Sequence, residues 1–244
     1  MDGVIYHGEQ LIDGVKEFID WLKRENKKFM FLTNSNTLTP SELSQKLGRL
    51  GLDVGEEHFY TSGLATARFI SRQMPNATAY VIGEHGLYNA LYDAGIKIND
   101  ADPDYVIVGE SRDYTYNQIC RASDLVMKGA RLIATAPDIT NPVEGGVVPD
   151  CGAFVLPIEA VSGKKAYYIG KPNALMMRTG LKMLDEHSSD CAMIGDRMDT
   201  DVVVGMESGL DTVLVLSGVS TRETVKEFAY RPTIILNTVG DIVP

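Results

Sequence analysis

The sequence is poor in cysteine and has no long apolar run. Its three cysteines, Cys120, Cys151 and Cys191, have spacings that fit neither a disulfide framework nor a metal motif. We therefore expect free, mostly buried thiols and a cytoplasmic protein. No stretch approaches the roughly 20 apolar residues of a membrane span, and the first residues do not resemble a secretory leader. These absences argue against a membrane protein.

Positive charge is also scarce. The 244 residues carry 23 Lys and Arg against 33 Asp and Glu, a formal net charge of −10. Nucleic acids and anionic membranes need a basic surface, so neither is expected as a partner. A small phosphate ester is still compatible with this charge, provided that a metal ion or a local positive group offsets the repulsion. The length leaves room for one core with a large insertion.

Short apolar runs alternate with amphipathic segments, which predicts an α/β fold with parallel sheets covered on both faces. The apolar spacing in Val15–Arg24 predicts a helix, and the capping signal Thr39-Pro40-Ser41-Glu42 begins another that Gly51 ends. The predicted strands are Lys28–Leu32, Ala79–Ile82, Tyr105–Val108, Leu132–Ala134, Tyr167–Ile169, Ala192–Ile194, Val213–Leu216 and Ile234–Leu236.

Two breaks in this pattern bound an insertion. Met74-Pro75-Asn76 interrupts a helical pattern, and a polar segment at 161–165 precedes a strand. The residues between them have strands and helices of their own and a long irregular loop at 137–152. We predict a core domain of residues 1–76 and 167–244 and an inserted domain of residues 77–166.

Four short segments carry candidate functional residues, and the most acidic of them is Gly195-Asp196-Arg197-Met198-Asp199-Thr200-Asp201. Three carboxylates this close repel one another unless a cation or a helix N-terminus compensates. Helix capping by Asp199 or Thr200 accounts for one acid only. A hard divalent cation such as Mg²⁺, which takes oxygen ligands, explains Asp196 and Asp201 better.

Three other segments carry candidate polar groups. Thr33 and Asn34 follow a predicted strand and can donate hydrogen bonds to an anionic oxygen, although turn residues are common there. Lys171, between a strand and a helix, can hold a phosphate, although a single lysine is usually a surface charge. Asp2, followed by Gly3, can serve as a metal ligand or a general acid, or belong to an ordinary turn.

Taken in order, the segments Asp-Gly, Thr-Asn, Lys-Pro and Gly-Asp-x-x-x-Thr-Asp resemble the four motifs of the haloacid dehalogenase (HAD) superfamily phosphatases, in particular the NagD-type branch. The resemblance runs along the whole chain and includes the stretches 60–63, 103–109 and 216–219. It implies a Rossmann-like parallel-sheet core with an α/β cap of the C2 type inserted between the second and third motifs.

The resemblance also implies residue roles. Asp2 corresponds to the general acid/base, and its backbone carbonyl is expected to face Mg²⁺. Asp196 corresponds to a direct Mg²⁺ ligand, and Asp201 to a weaker one that acts through water. The expected metal-binding residues are therefore Asp2, Asp196 and Asp201, the catalytic residues are Asp2 and Lys171, and the substrate-binding residues are Thr33, Asn34 and Lys171.

The first family motif reads Asp-x-Asp-Gly, and its first Asp is the nucleophile that becomes an aspartyl-phosphate. Met1 occupies the x, so the resemblance places the nucleophile directly before Met1, at the end of a further strand. We expect that the natural protein begins upstream of Met1. The alternatives are a catalytically inactive relative and, third, a nucleophilic role for Asp2.

The expected activity is Mg²⁺-dependent hydrolysis of small phosphate monoesters, with nucleoside monophosphates such as UMP and GMP as the implied substrates. Sugar phosphates, phosphoglycolate and pyridoxal phosphate are alternative substrates. A protein of another class, which binds Mg²⁺ and phosphate through Asp196, Lys171 and Thr33 without turnover, is the competing interpretation. The sequence leaves a homo-oligomer open.

Overall fold

The computed structural model describes residues 1–143 and 145–244. Within them, the helices are α1 (Val15–Arg24), α2 (Pro40–Arg49), α3 (Ser62–Gln73), α4 (His85–Asp93), α5 (Tyr116–Met127), α6 (Cys151–Ser162), α7 (Ala174–Leu184) and α8 (Val203–Glu207). The strands are β1 (Tyr6–His7), β2 (Gln10–Leu11), β3 (Phe31–Thr33), β4 (Phe59–Thr61), β5 (Thr78–Ile82), β6 (Lys97–Ile98), β7 (Tyr105–Val108), β8 (Arg131–Ala134), β9 (Thr140–Val143), β10 (Gly146–Pro149), β11 (Tyr167–Tyr168), β12 (Ala192–Gly195), β13 (Asp211–Val215) and β14 (Ile234–Leu236).

The chain forms two compact units. Unit 1 comprises Met1–Leu32, Leu43–Phe59 and Lys171–Pro244, and unit 2 comprises Thr33–Glu42 and Tyr60–Gly170. The boundaries of these units differ from those of the predicted domains. One reason is that β11, which the prediction assigned to the core domain, pairs with β8 of unit 2. The domain bounds 1–76, 77–166 and 167–244 stay a prediction.

Unit 2 is built on a five-stranded parallel sheet in the order β11–β8–β7–β5–β6. All four residues of the central strand β7 are buried. Val106 of β7, Leu125 of α5 and Ile158 of α6 belong to one apolar core. A strand covered in this way needs a continuous apolar run, which is the pattern that predicted it.

Unit 1 contains a three-stranded parallel sheet in the order β12–β13–β14. Met177 of α7, Val204 of α8 and Leu210 pack together against Met193 of β12. Because β12 and β13 are parallel, the loops that follow them emerge at the same edge of the sheet. The predicted α/β class with parallel sheets is confirmed.

Local signals predicted the first two helices well. Helix α1 spans the predicted range, and α2 begins with the predicted capping box. The N–H of Thr39 donates to Oε2 of Glu42 at 2.9 Å, and the N–H of Glu42 donates to Oγ1 of Thr39 at 3.3 Å. The backbone bond from Thr39, followed by the bond from His85, lowers the pKa of Glu42 to about 2.

The strand predicted over Lys28–Leu32 is wrong in its bounds, since β3 begins at Phe31. Lys28 instead forms an ion pair with Glu186, with its Nζ 2.8 Å from Oε1. Phe29 stacks on the ring of His58 at a centroid distance of 4.2 Å. Both partners are remote in the chain, so the local apolar pattern did not reveal these contacts.

All three cysteines are free thiols. Cys151 is buried, and burial raises its pKa to about 11. Cys120 is exposed, so the expectation of mostly buried thiols is wrong for that residue. In the part of the chain that the structure describes, no helix combines the length and the apolar character of a membrane span.

Candidate active site

Asp196 follows β12 and lies in a buried cluster of unit 1, with 6% of its surface exposed. Its Oδ2 accepts the N–H of Val219 at 2.9 Å, and its backbone carbonyl accepts the N–H of Ser220 at 3.0 Å. These two bonds fix the loop after β13 against the end of β12. Asp196, which the sequence predicted to lie at the end of a strand, is therefore held in a fixed position by the neighbouring loop.

Two glycines make room for this carboxylate. A Cβ at Gly218 would lie 2.2 Å from Oδ2 of Asp196, and a Cβ at Gly3 would lie 2.6 Å from the same oxygen. Gly3 also has a φ of +73°, which L side chains rarely adopt. Sequence reasoning missed the role of Gly218 because the contact joins two loops that only the fold brings together.

Lys171 and Asp201 form a buried ion pair beside Asp196. Nζ of Lys171 lies 2.7 Å from Oδ1 of Asp201 and donates to the carbonyl of Leu32 at 3.0 Å. The other oxygen of Asp201, Oδ2, accepts the N–H groups of Asp196 and Arg197, both at 3.2 Å. Both carboxylate oxygens of Asp201 therefore already have partners within the protein.

The two buried carboxylates differ in their ionisation. Burial, followed by the charge of Asp201, raises the pKa of Asp196. Burial also opposes ionisation of Asp201, but the charge and hydrogen bond of Lys171 hold the pKa of Asp201 below its usual range. Asp201 is thus the ionised partner of Lys171, whereas Asp196 is the carboxylate that gains more from a further cation.

Asp2 lies in the first turn of the chain, next to Gly3. The N–H of Gly3 donates to the carbonyl of Tyr6 at 2.9 Å, and the hydroxyl of Ser217 donates to the carbonyl of Gly3 at 2.7 Å. The Asp2 side chain is 56% exposed, and its Oδ1 lies 3.6 Å from Nδ1 of His7. The backbone next to Asp2 is thereby joined to the Asp196 cluster, while the carboxylate itself lies beside His7.

Within residues 1–143 and 145–244, no three His, Cys, Asp or Glu side chains form a group suited to hold a metal ion. The predicted set of Asp2, Asp196 and Asp201 uses the backbone carbonyl of Asp2 and a water on Asp201 rather than three direct carboxylates, so it stays a prediction. The hydrogen bond that the Asp196 carboxylate accepts from Val219 engages Oδ2, and Oδ1 is the oxygen left for a cation. Magnesium commonly binds one or two carboxylates and keeps several waters, so the donor set around Asp196 fits this ion.

Thr33 and Asn34 belong to unit 2. Oγ1 of Thr33 accepts the N–H of Ser35 at 3.3 Å. The side-chain Nδ2 of Asn34 donates to Oδ2 of Asp138 at 2.6 Å, and the backbone carbonyl of Asn34 accepts the hydroxyl of Ser62 at 2.5 Å. The structure thus places these residues in one hydrogen-bonded segment, and places Lys171, Asp196 and Asp201 in another cluster.

Glu110 is a residue that sequence reasoning missed, although it too follows a strand, β7. Burial, followed by the charge of Asp150, raises the pKa of Glu110 to about 7, against the opposing effects of Arg112 and Ser35. Glu84 also faces this carboxyl and raises its pKa further. A search for acids at all strand ends, rather than only in the motifs, would have found it.

We expect Glu110→Gln to stabilise the protein above pH 7 and to change little near pH 4. Between the pKa of about 4.3 in the unfolded chain and about 7 in the folded protein, only the folded state holds the proton. Stability therefore falls as the pH rises through this window, by at most about 4 kcal/mol. Urea unfolding across this range measures the difference, with the exposed Glu223→Gln as control. A difference independent of pH would contradict the raised pKa.

The fold and the site cluster define a class of protein. A sequence model of the haloacid dehalogenase-like hydrolases matches residues 1–97, and a second HAD hydrolase-like model matches residues 168–242. The chain belongs to this family. The resemblance first recognised in the four short motifs is thereby confirmed.

Similar proteins of known name indicate which kind of hydrolase within the family this chain resembles. Dihydroxyacetone phosphatase of Corynebacterium glutamicum is 44% identical over 99% of this chain and 88% of its own length. The acid sugar phosphatase of Staphylococcus epidermidis is 40% identical over 96% of this chain and 90% of its own. Ribonucleotide monophosphatase NagD of Escherichia coli is 39% identical over 99% of this chain and 95% of its own. The NagD structure matches at a TM-score of 0.93, with 38% identity over 99% of this chain and 95% of NagD.

These relatives share one reaction class, the hydrolysis of phosphate monoesters, and differ in the ester. The protein is therefore a NagD-type phosphatase, a phosphoric monoester hydrolase of the HAD superfamily. Phosphatases of this family generally use Mg²⁺.

Proposed function

We propose that the protein is an Mg²⁺-dependent phosphatase of small phosphate monoesters, with nucleoside monophosphates such as UMP and GMP as its preferred substrates. The observation that carries this proposal is the buried cluster of Asp196, Asp201 and Lys171 at the end of β12. The buried ammonium group of Lys171 lies next to two carboxylates, and such a positive charge suits a site that binds an anionic phosphate ester. The likeness to NagD supports the choice of nucleotides.

The residues of the chain take roles that follow from their charge. An anionic ester repels a carboxylate nucleophile, and Lys171, fixed by Asp201 and by the Leu32 carbonyl, reduces that repulsion. Thr33 and Asn34 hold the phosphoryl group in position by hydrogen bonds. Asp2, with its largely exposed carboxylate, donates a proton to the leaving group and later accepts one from water.

The metal would be held by Asp196, with the carbonyl of Asp2 and, through water, Asp201 as further ligands. When bound, Mg²⁺ would supply positive charge to the phosphate oxygens. The proposed reaction passes through an aspartyl-phosphate on the nucleophilic Asp of the first family motif. The cytoplasmic location and a homo-oligomer stay predictions.

A second candidate substrate class is the phosphorylated sugars and trioses. It is favoured by the likeness to dihydroxyacetone phosphatase, at 44% identity over 99% of the chain, and to the acid sugar phosphatase. Phosphoglycolate and pyridoxal phosphate remain alternatives without a specific observation in their favour. The competing hypothesis of a binding protein keeps the same residues but no turnover.

Phosphate release from a panel of esters tests the proposal. The panel contains UMP, GMP, dihydroxyacetone phosphate and glucose 6-phosphate, each with Mg²⁺ and with a chelator. A chain extended at its N-terminus by a strand that ends in Asp, as the family motif has it, is assayed beside the 244-residue chain. We expect Mg²⁺-dependent release that is fastest, in kcat/KM, for a nucleoside monophosphate.

The other outcomes separate the alternatives. Fastest release from dihydroxyacetone phosphate or glucose 6-phosphate would favour the second substrate class. Binding of inorganic phosphate in calorimetry without release from any ester, in either chain, would favour the binding protein. Neither binding nor release would contradict the proposed function altogether.

A further inference from the structure

The side chains that follow β3 are anchored at the carboxyl end of the unit 2 sheet. Nδ2 of Asn34 donates to Oδ2 of Asp138 at 2.6 Å, and Nδ2 of Asn36 donates to Oγ1 of Thr135 at 2.9 Å. Thr135 directly follows β8, and Asp138 lies further along the same loop. Two amide side chains on one segment are thus held by two residues of one loop.

The carboxylate of Asp138 is itself fixed in place. The residue is 9% exposed, and its backbone carbonyl accepts the N–H of Gly152, in the first turn of α6, at 2.8 Å. A Cβ at Gly152 would lie 2.8 Å from this carbonyl oxygen and 2.3 Å from that of Pro137. The start of α6 therefore packs tightly against the loop and leaves Asp138 little freedom to move.

An acceptor at this point determines the orientation of the Asn34 amide. An asparagine amide has a donor end and an acceptor end, whereas an ionised carboxylate only accepts. Asp138 therefore selects the rotamer in which Nδ2 faces it, because the opposite rotamer would bring two oxygens together. Gly170 leaves room for the other end, since a Cβ there would lie 2.6 Å from Oδ1 of Asn34.

We propose that Asp138 is a positioning residue for the phosphate ester and that it acts through the side chain of Asn34. This inference deepens the proposed function and rests on it, because it needs Asn34 to bind the phosphoryl group. A carboxylate close to an anionic ester would repel it, so the benefit of Asp138 lies in the orientation of the amide and not in contact with the ester. A wrongly oriented amide weakens binding of the phosphoryl group, and such a loss raises Kd and KM more than it lowers kcat.

The variant Asp138→Asn tests this by keeping the shape and removing the charge. Because the new amide can present either end, the Asn34 side chain loses its enforced orientation. We expect a rise of about tenfold in the Kd for inorganic phosphate, measured by calorimetry, and in the KM of the extended chain for para-nitrophenyl phosphate. We expect kcat to change much less. The side-chain amide signal of Asn34 should also shift in ¹⁵N–¹H spectra without ligand.

A matched control and a double variant sharpen the test. Asp113→Asn changes an exposed carboxylate of unit 2 and should leave all of these values unchanged. In the background Asn34→Ala, which itself raises Kd and KM, Asp138→Asn should add no further rise. Additive rises, or an unchanged Kd and KM with only a loss of stability, would overturn the proposal.

If the proposed function is wrong, the same experiments give a different set of results. In that case the wild-type chain neither binds phosphate nor hydrolyses any ester, and the positioning role is overturned together with the function. The amide signal of Asn34 would still respond to Asp138→Asn in that case, because it reports the hydrogen bond alone. Wild-type phosphate binding with no effect of Asp138→Asn would instead refute the positioning role and leave the function standing.

Discussion

Lys171→Met is expected to lower the free energy of unfolding by about 3–5 kcal/mol, because it leaves a buried carboxylate without its cation. Lys171 is 8% exposed and Asp201 is 4% exposed. Methionine keeps much of the length and apolar character of the lysine stem, so the change removes mainly charge. Urea unfolding measures the effect, and an unchanged m-value shows that the compared states are the same.

Lys128→Met is the matched control. Lys128 also lies 2.7 Å from a carboxylate, that of Asp124, but the two side chains are 64% and 41% exposed. A pair of this kind on a helix surface contributes only about 0.3–0.5 kcal/mol. The two variants therefore differ in burial and not in distance. Similar losses of stability would contradict the argument from burial.

The double variant Lys171→Met/Asp201→Asn separates charge from packing. An asparagine oxygen still accepts the N–H groups of Asp196 and Arg197 that bond to Asp201 Oδ2. We expect the double variant to regain most of the lost stability, while phosphatase activity, measured in the extended chain, stays about 100-fold or more below that of the chain with Lys171 and Asp201. A double variant as unstable as Lys171→Met alone would assign the loss to packing of the lysine stem.

The bounds of several strands could be predicted from the sequence. β7 and β14 match their predicted ranges, and β12 differs by one residue at its end. For β7, all of whose residues are buried, the reason is that a strand covered on both faces selects an unbroken apolar run. Tertiary contacts overrode the pattern at β3, as the pairing of Lys28 with Glu186 shows. Such contacts join residues far apart in the chain, and no local pattern contains them.

Only part of the candidate site could be predicted from the sequence. Lys171 and Asp196 could be found because ligand-binding residues follow the strands of parallel sheets. The spacing of Asp201 is compatible with a metal ligand and equally with an ion-pair partner, and only its 2.7 Å distance to Lys171 shows the pairing. Asp138 had no signal of its own, and Gly218 was noticed only within the stretch 216–219, because the roles of both residues arise from contacts between loops.

Asp196→Asn is expected to abolish Mg²⁺ binding and yet to stabilise the metal-free protein by about 0.5–2 kcal/mol. The change removes one of two neighbouring buried carboxylate charges, and the amide oxygen still accepts the N–H of Val219. Calorimetry measures the binding. In wild type, Mg²⁺ at 100 times its Kd should raise the free energy of unfolding by about 2.7 kcal/mol, and in the variant by nothing.

Gly218→Ala provides a second variant that leaves the carboxylate chemically unchanged. A Cβ there would lie 2.2 Å from Asp196 Oδ2, so the carboxylate must move. We expect loss of Mg²⁺ affinity together with a destabilisation of about 1–3 kcal/mol.

Gly48→Ala, in α2, is the matched glycine control, since a Cβ there meets no atom within 4 Å. It should raise stability by about 0.5–1 kcal/mol and leave Mg²⁺ binding unchanged. Retained binding in Asp196→Asn would remove this residue from the metal site. Loss of binding in both Asp196→Asn and Gly218→Ala, with opposite effects on stability, would show that the protein gives up stability to keep a buried carboxylate ready for a cation.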